Sequence, residues 1–320
     1  MPLIDFSPYQ TPNFFHNNPH FSTIYNGRFL KTSPPIYQRT RIELTDGDFL
    51  DIDFNETDSK KAVILCHGLE GASDRTYNNT AAHDFLQNGY SVFAWNNRSC
   101  SGEMNRLLQL YHHASIEDLA VVVNFVQQKK YESIYLVGFS MGAAQVLNYF
   151  GRVKLPDTVK AAVAVSAPIE LKDSAESLKR GFNRVYLKNF IRKISPKLAA
   201  KAQQFPEALN WNFLQHIQSF DEIDAHYTAP VHGFSSKADY YTQASPSYSL
   251  DGIERPVLIV NAWDDPFLGE HCFPKKIAQQ SVNLFLEIPK SGGHCAFPMR
   301  NKQQSYAAQR AMDFFDTQGN

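Results

Sequence analysis

Three residue types, set in one order along this chain, could carry out nucleophilic acyl chemistry: Ser140, an aspartate at 264 or 265, and His294. Ser140 lies in Gly138-Phe139-Ser140-Met141-Gly142, between the apolar run Ile134–Val137 and the helix-like run Ala143–Leu147. A G-x-S-x-G at a strand-to-helix junction is a nucleophile elbow, which holds the serine Oγ clear of the backbone. The turn is too tight for Cβ atoms two residues either side, and glycine removes them. A serine hydroxyl is a weak nucleophile, so it needs a base for its proton and an acid to orient that base. Both are supplied later in the chain, after apolar runs. Val260-Asn261-Ala262-Trp263-Asp264-Asp265-Pro266 offers two carboxylates, and Ile288-Pro289-Lys290-Ser291-Gly292-Gly293-His294 offers a histidine in a Gly-rich loop. Asp265 is the preferred acid and Asp264 the alternative; taken alone, Asp-Asp-Pro better suits a simple turn or helix cap, and the order with Ser140 and His294 reverses that.

The same chemistry needs donors for an oxyanion. In Cys66-His67-Gly68-Leu69-Glu70-Gly71, Gly68 lets the backbone turn so that the next amide faces the reacting carbonyl. The backbone N–H groups of Leu69 and Met141 are therefore the two expected donors, each worth about a hundredfold or more in rate. His67 reads as a structural hydrogen-bonder rather than a base. Cys100, in a turn-rich loop with no histidine implied beside it, reads as a packing residue rather than a nucleophile.

The elements that must position these groups are legible as a change of rhythm. Residues 1–40, rich in Pro, Asn, His and Phe, read as an irregular arm packed on the core. Arg41–Leu44 and Phe49–Phe54 alternate around Thr45-Asp46-Gly47-Asp48 and read as a hairpin. Short apolar strands then follow at 62–66, 90–94, 133–137 and 159–165, separated by helical stretches at 75–88, 115–130 and 141–152. Ser115-x-x-Asp118 has the form of a capping box at the second of these. Strand–helix alternation with nearly all-apolar strands predicts an α/β fold around a mostly parallel sheet covered on both faces. The rhythm stops over 170–250, where Lys, Gln, Phe and Tyr fall at helical spacing with Pro196, Pro206, Pro230 and Pro246 as breaks. It resumes with strands at 256–260 and 282–288 and a last helix near 302–315. The expected organisation is an arm (1–40), a core (41–169 and 251–320) and a helical cap insertion (170–250).

Composition excludes several other functions. Thirty-one basic against thirty-two acidic residues give a net charge of −1, so nothing draws the chain to nucleic acid or an anionic membrane. Cys66, Cys100, Cys272 and Cys295 form no CxxC or metal-ligand spacing. No Walker A loop, GxGxxG after a strand, or HExxH is present, so neither cofactor nor metal is expected. The N-terminus lacks a basic-then-apolar signal pattern, and the apolar runs fall far short of the roughly 20 residues of a membrane span. A cytoplasmic protein with a small-molecule substrate is the expectation.

With these residues in place, the chain resembles the α/β-hydrolase superfamily. Within it, the resemblance is to YheT-type hydrolases, abhydrolase-domain phospholipases and yeast medium-chain ester synthases. The matching pieces are Asn18-Pro19-His20 with Thr23-Ile24, His67-Gly68-Leu69-Glu70-Gly71, and Cys100-Ser101-Gly102-Glu103 with Asn105-Arg106 and Tyr111-His112. Glu117-Asp118, the Ser140 elbow, and Asp221 with Thr228-Ala229-Pro230 and Gly233-Phe234 follow. Asp239-Tyr240-Tyr241, Asp264-Asp265-Pro266-Phe267 and Gly292-Gly293-His294 complete them. The resemblance implies a Ser–His–Asp triad and favours Asp265 as its acid. Ser99 and Ala114 depart from it, each standing where the family's loops often carry glycine. The implied activity is hydrolysis of short- to medium-chain carboxylic esters through an acyl-enzyme. Acyl transfer to an alcohol, or lipid or partner binding without catalysis, are the alternatives.

Overall fold

Runs of buried β-branched and aromatic residues form the strands at the heart of the molecule. In this computed structural model, which describes residues 3, 4 and 6–318, the strands are Leu3–Ile4 (β1), Gln38–Glu43 (β2), Phe49–Asn55 (β3), Lys61–Cys66 (β4) and Ser91–Asn96 (β5). Ser133–Phe139 (β6), Val159–Val165 (β7), Val257–Val260 (β8) and Leu284–Glu287 (β9) complete one sheet, in the order β1-β9-β8-β7-β6-β4-β5-β3-β2. Pairing is parallel from β1 through to β5, and antiparallel where the β2–β3 hairpin joins β5. The strands in the middle are buried along both faces, so their sequences lack the alternation of a half-exposed sheet.

Helices close both faces. One face packs Ile64, Phe93 and Leu136 against Leu119, Val122 and Val126 of Ile116–Gln128 (α3) and Val146 and Leu147 of Met141–Arg152 (α4). The other packs Leu65, Val137 and Val163 against Phe85 of Thr76–Gln87 (α2) and Phe315 of the C-terminal helix, Tyr306–Gln318. This is the α/β-hydrolase arrangement. It leaves the β6–α4 junction where the chain must turn sharply out of the sheet.

The N-terminal residues are more regular than composition suggests. β1 extends the sheet in parallel beside β9, and Pro19–Arg28 forms a helix (α1). Asn18 caps α1 by accepting the Phe21 N–H at 3.0 Å, and Pro19 opens its first turn. The capping box at Ser115 does not form. Ser115 Oγ instead accepts the His112 N–H at 2.9 Å, while Asp118 is drawn away to Arg98 at 2.8 Å.

Between β7 and β8 the chain runs through Leu171–Leu178 (α5), Arg184–Gln204 (α6), the short helices Trp211–Leu214 (α7) and Phe220–Ile223 (α8), a π-helical turn Asp224–Thr228, Ala229–Val231 (α9) and Lys237–Ala244 (α10). Pro196 does not break α6. The buried stripe Leu187, Ile194, Leu198 and Ala202 runs along both sides of it, and that packing outweighs the roughly 3 kcal/mol that a mid-helix proline costs.

Candidate active site

The junction of β6 and α4 places Ser140 at φ 54°, ψ −118°, a left-handed conformation that costs a non-glycine residue about 1–3 kcal/mol. The surroundings leave it no alternative. A Cβ on Gly138 would lie 2.5 Å from the Gly142 carbonyl oxygen, and one on Gly142 would lie 2.3 Å from that of Cys66. The Ser140 N–H donates to Val165 O at 2.9 Å, tying the turn to the neighbouring strand. Its hydroxyl is left to face a cavity.

His294 reaches that hydroxyl. Its Nε2 is 2.9 Å from Ser140 Oγ, and its Nδ1 is 2.9 and 3.0 Å from the two oxygens of Asp265. Asp265 is buried and also accepts the Phe267 N–H at 2.9 Å. Asp264, one residue earlier, points away and accepts the Gly293 N–H at 3.1 Å. Burial pushes Asp264 up to about 6, against the pull of that amide. Burial alone would lower the His294 pKa. The adjacent Asp265 carboxylate more than reverses this and raises it above the ordinary imidazole value. The ring stacks on Phe267 at 4.0 Å between centroids, which removes one face from water.

The loop carrying His294 is held from a distant part of the chain. Thr23 Oγ1 of α1 accepts the His294 N–H at 2.9 Å, and Asn26 Nδ2 donates to Cys295 O at 3.2 Å. Gly293, at φ 61°, has no room for a Cβ, which would lie 2.8 Å from Thr23 Oγ1. Composition alone gave no sign that Thr23 braces the histidine, although Thr23 was among the residues of the family resemblance.

Leu69 and Met141 both line the cavity beside Ser140. The amides next to them are engaged: Gly68 N–H donates to Tyr77 OH, Glu70 N–H to Tyr111 OH and Ser140 N–H to Val165 O. Among the described residues neither the Leu69 nor the Met141 N–H donates to any acceptor in the protein. His67 is fully buried, with Nδ1 donating to Gly68 O at 2.7 Å and Nε2 accepting the Asn97 N–H at 3.0 Å. Burial holds it neutral, with a pKa pushed down to about 4. It shapes the loop and does not reach Ser140 by any hydrogen bond in the structure.

Glu70, next to Leu69, sits at φ 53° and is held through every polar atom. Its N–H and Oε1 engage Tyr111, its carbonyl accepts Arg75 at 2.6 Å, and both carboxylate oxygens bind Lys197 of α6 at 2.9–3.0 Å. The pair is 127 residues apart in sequence, so no local pattern announces it. Cys100 is buried 3.4 Å from Lys197 Nζ, and burial raises its pKa. Ser99 does adopt φ 62°, the conformation that favours glycine, and its Oγ compensates by bonding Asn105 at 2.5 and 2.9 Å. Ala114 keeps its N–H on His112 Nδ1 at 3.1 Å.

A cavity of about 100 Å³ lies over Ser140. Leu178, Phe190, Ile194, Phe220 and Phe267 make one wall, with Phe190 5.9 Å from both Phe220 and Phe267. The other wall carries His113, Asp224, Thr228, Tyr240 and Tyr241. Among the described residues no group of three or more His, Cys, Asp or Glu is placed to hold a metal ion, and no helix is long and apolar enough to cross a membrane.

Comparison with known proteins agrees with this fold. A family model described as the alpha/beta hydrolase fold matches residues 61–299. YheT of Escherichia coli (strain K12), an esterase by name, is 30% identical over 270 residues, covering 82% of this chain and 78% of YheT. Phospholipase ABHD3 of Mus musculus is 29% identical over 281 residues, covering 84% of this chain and 68% of ABHD3. In structure, an esterase of Pyrococcus furiosus superposes with a TM-score of 0.60 at 16% identity, covering 91% of this chain and 98% of its own, which speaks to fold alone. The chain belongs to the α/β-hydrolase fold family. Its nearer similarity is to esterase- and phospholipase-type members, which supports a hydrolase activity.

Proposed function

We propose that this protein is a serine hydrolase of carboxylic esters, with Ser140 as nucleophile, His294 as general base and acid, and Asp265 as the orienting acid. The continuous hydrogen-bonded line from Ser140 Oγ through both nitrogens of His294 to Asp265 carries this reading. In the first half-reaction the Ser140 oxygen attacks the ester carbonyl while His294 Nε2 takes the hydroxyl proton. Asp265 holds the other nitrogen in its N–H tautomer and stabilises the imidazolium. The tetrahedral oxyanion is received by the Leu69 and Met141 N–H groups, which neighbouring turns leave free for it. Collapse breaks the bond to the alcohol oxygen, which leaves with the proton from His294. Water, deprotonated by the same imidazole, then attacks the acyl-serine; the acyl–Oγ bond breaks, His294 returns the proton to Ser140 Oγ, and the carboxylic acid is released.

Residues 170–250 are proposed as the cap over this site, since α5, α6, α8 and α10 all supply cavity wall. The apolar wall formed by Leu178, Phe190, Phe220 and Phe267 suits a short or medium acyl chain. A series of p-nitrophenyl esters from acetate to laurate tests the reading. Turnover that peaks at short or medium chains and disappears in Ser140→Ala is the expected result. Equal turnover by the Ser140→Ala protein would overturn it.

A further inference from the structure

One part of the cavity lining carries polar groups, although Leu171 and Ala175 pack beside its tyrosines. His113 Nδ1 lies 2.9 Å from Tyr240 OH, the Tyr240 and Tyr241 rings are tilted at 5.6 Å between centroids, and Tyr241 OH donates to Asp224 Oδ2 at 3.0 Å. Thr228 completes the patch. Asp224 is the one carboxylate among the described lining residues, and among them no cation forms an ion pair with it. Lys179 and Lys237, the charged groups close by, are both committed to Asp221. Two neutral hydroxyls, Tyr241 at 3.0 Å and Thr228, are its partners, which leaves lone pairs of the carboxylate free to accept from a ligand. Burial raises the Asp224 pKa to about 7, against the opposing pull of Thr228 and Tyr241.

The backbone makes the same point independently. Asp224 opens the π-helical turn Asp224–Thr228, whose closing bond runs from the Ala229 N–H to the Asp224 carbonyl. Such turns are rare and are frequently found at functional sites. Here the turn follows α8, whose Ile223 lines the same cavity, and it adds a carboxylate there.

We propose that Asp224, held by Tyr241, is a subsite for a hydrogen-bond donor on the alcohol half of the ester, either a hydroxyl or a protonated amine. The acyl chain takes the apolar wall because that wall alone removes it from water without stranding a polar group. The alcohol half is then left facing the Asp224 wall. This inference rests on the ester-hydrolase reading of Ser140. A hydrogen bond to the ionised carboxylate, read at a pH above the pKa of Asp224, corresponds to a preference of roughly ten- to a hundredfold.

The test compares kcat/KM for the hydroxyethyl, dimethylaminoethyl and propyl esters of octanoic acid, alongside fluorophosphonate labelling of Ser140. Wild-type protein is expected to favour the hydroxyethyl or the dimethylaminoethyl ester over the propyl ester by about tenfold or more, and the favoured one identifies the donor. The ratio should collapse toward one in Asp224→Leu and fall in Tyr241→Phe. Labelled wild-type protein with no preference, or a preference unchanged in Asp224→Leu, would overturn the subsite. Wild-type protein that takes no label at Ser140 would instead refute the hydrolase reading beneath it, so the two failures are distinct. The wild-type comparison stands even if a variant does not fold.

Discussion

Ser140 holds a backbone conformation that most residues avoid, and the groups around it accept that strain because nothing else brings an Oγ to His294. Two adjacent carboxylates show how small the margin is. Asp265 bonds the imidazole with both oxygens, whereas Asp264 caps the Gly293 amide. Asp265→Asn is therefore expected to cut kcat by between a hundredfold and about 10⁴-fold, by presenting the wrong tautomer. Asp264→Asn should leave kcat within a fewfold of wild type, and the reverse ranking in steady-state kinetics would count against Asp265. The pH profile gives a second readout. With His294 as the proposed base, activity needs its neutral form and falls as pH drops through the pKa of that ring. Asp265 raises this pKa in the wild type. In Asp265→Asn the acid limb of kcat/KM should accordingly move to lower pH. Movement to higher pH would contradict the assigned coupling.

Among the elements, two contacts set the site's geometry. The first is the crossing of α4 over β4 at Gly142, where a Cβ would meet the Cys66 carbonyl at 2.3 Å. Gly142→Ala has to push helix from strand and should cost about 1–3 kcal/mol, or more if the elbow gives way. Chemical denaturation would measure this, and a neutral result would mean that the turn is looser than drawn. The second is Lys197 on α6, which binds Glu70 on the turn that presents the Leu69 N–H. The Glu70 side chain is only 4% exposed and that of Lys197 17%. Removing the lysine leaves a buried charge unpaired, at a cost of about 3–5 kcal/mol. Lys197→Met should thus be destabilised by that order and lose kcat, with Lys197→Arg recovering much of both. A Lys197→Met protein as stable as wild type would show that the pair does not brace the oxyanion loop.

Over the whole molecule, the parts of the proposed site come from every region of the chain: α1 braces the histidine loop, β4 and β6 end beside Ser140, and α5, α6, α8 and α10 wall the cavity. Removing residues 1–30 should therefore slow acylation of Ser140 as well as lower stability, since it deletes Thr23 and Asn26. Stopped-flow acylation with a p-nitrophenyl ester would check this, and an unchanged rate would remove α1 from the account. The parts that could be read without coordinates were those governed by local rules. The Ser140 elbow, the apolar strands and the Gly-Gly-His loop each carry their cause within a few residues. The acid was narrowed to two neighbours, because a one-residue choice depends on how the turn before Pro266 swings. Long-range causes were out of reach. Nothing near residue 23 mentions His294, nothing near 70 mentions Lys197, and the proline at 196 is tolerated only because both flanks of α6 are packed. The carboxylate of Asp224 was hidden for the same reason, being brought to the cavity by an irregular turn.

The central claim is that Ser140 is the nucleophile, and mass-spectrometric mapping of a fluorophosphonate adduct on the intact protein tests it most directly. The expected result is a single time-dependent adduct on Ser140, absent from Ser140→Ala and strongly slowed in His294→Ala. An adduct mapped to another residue, or equal labelling of wild type and Ser140→Ala, would contradict it.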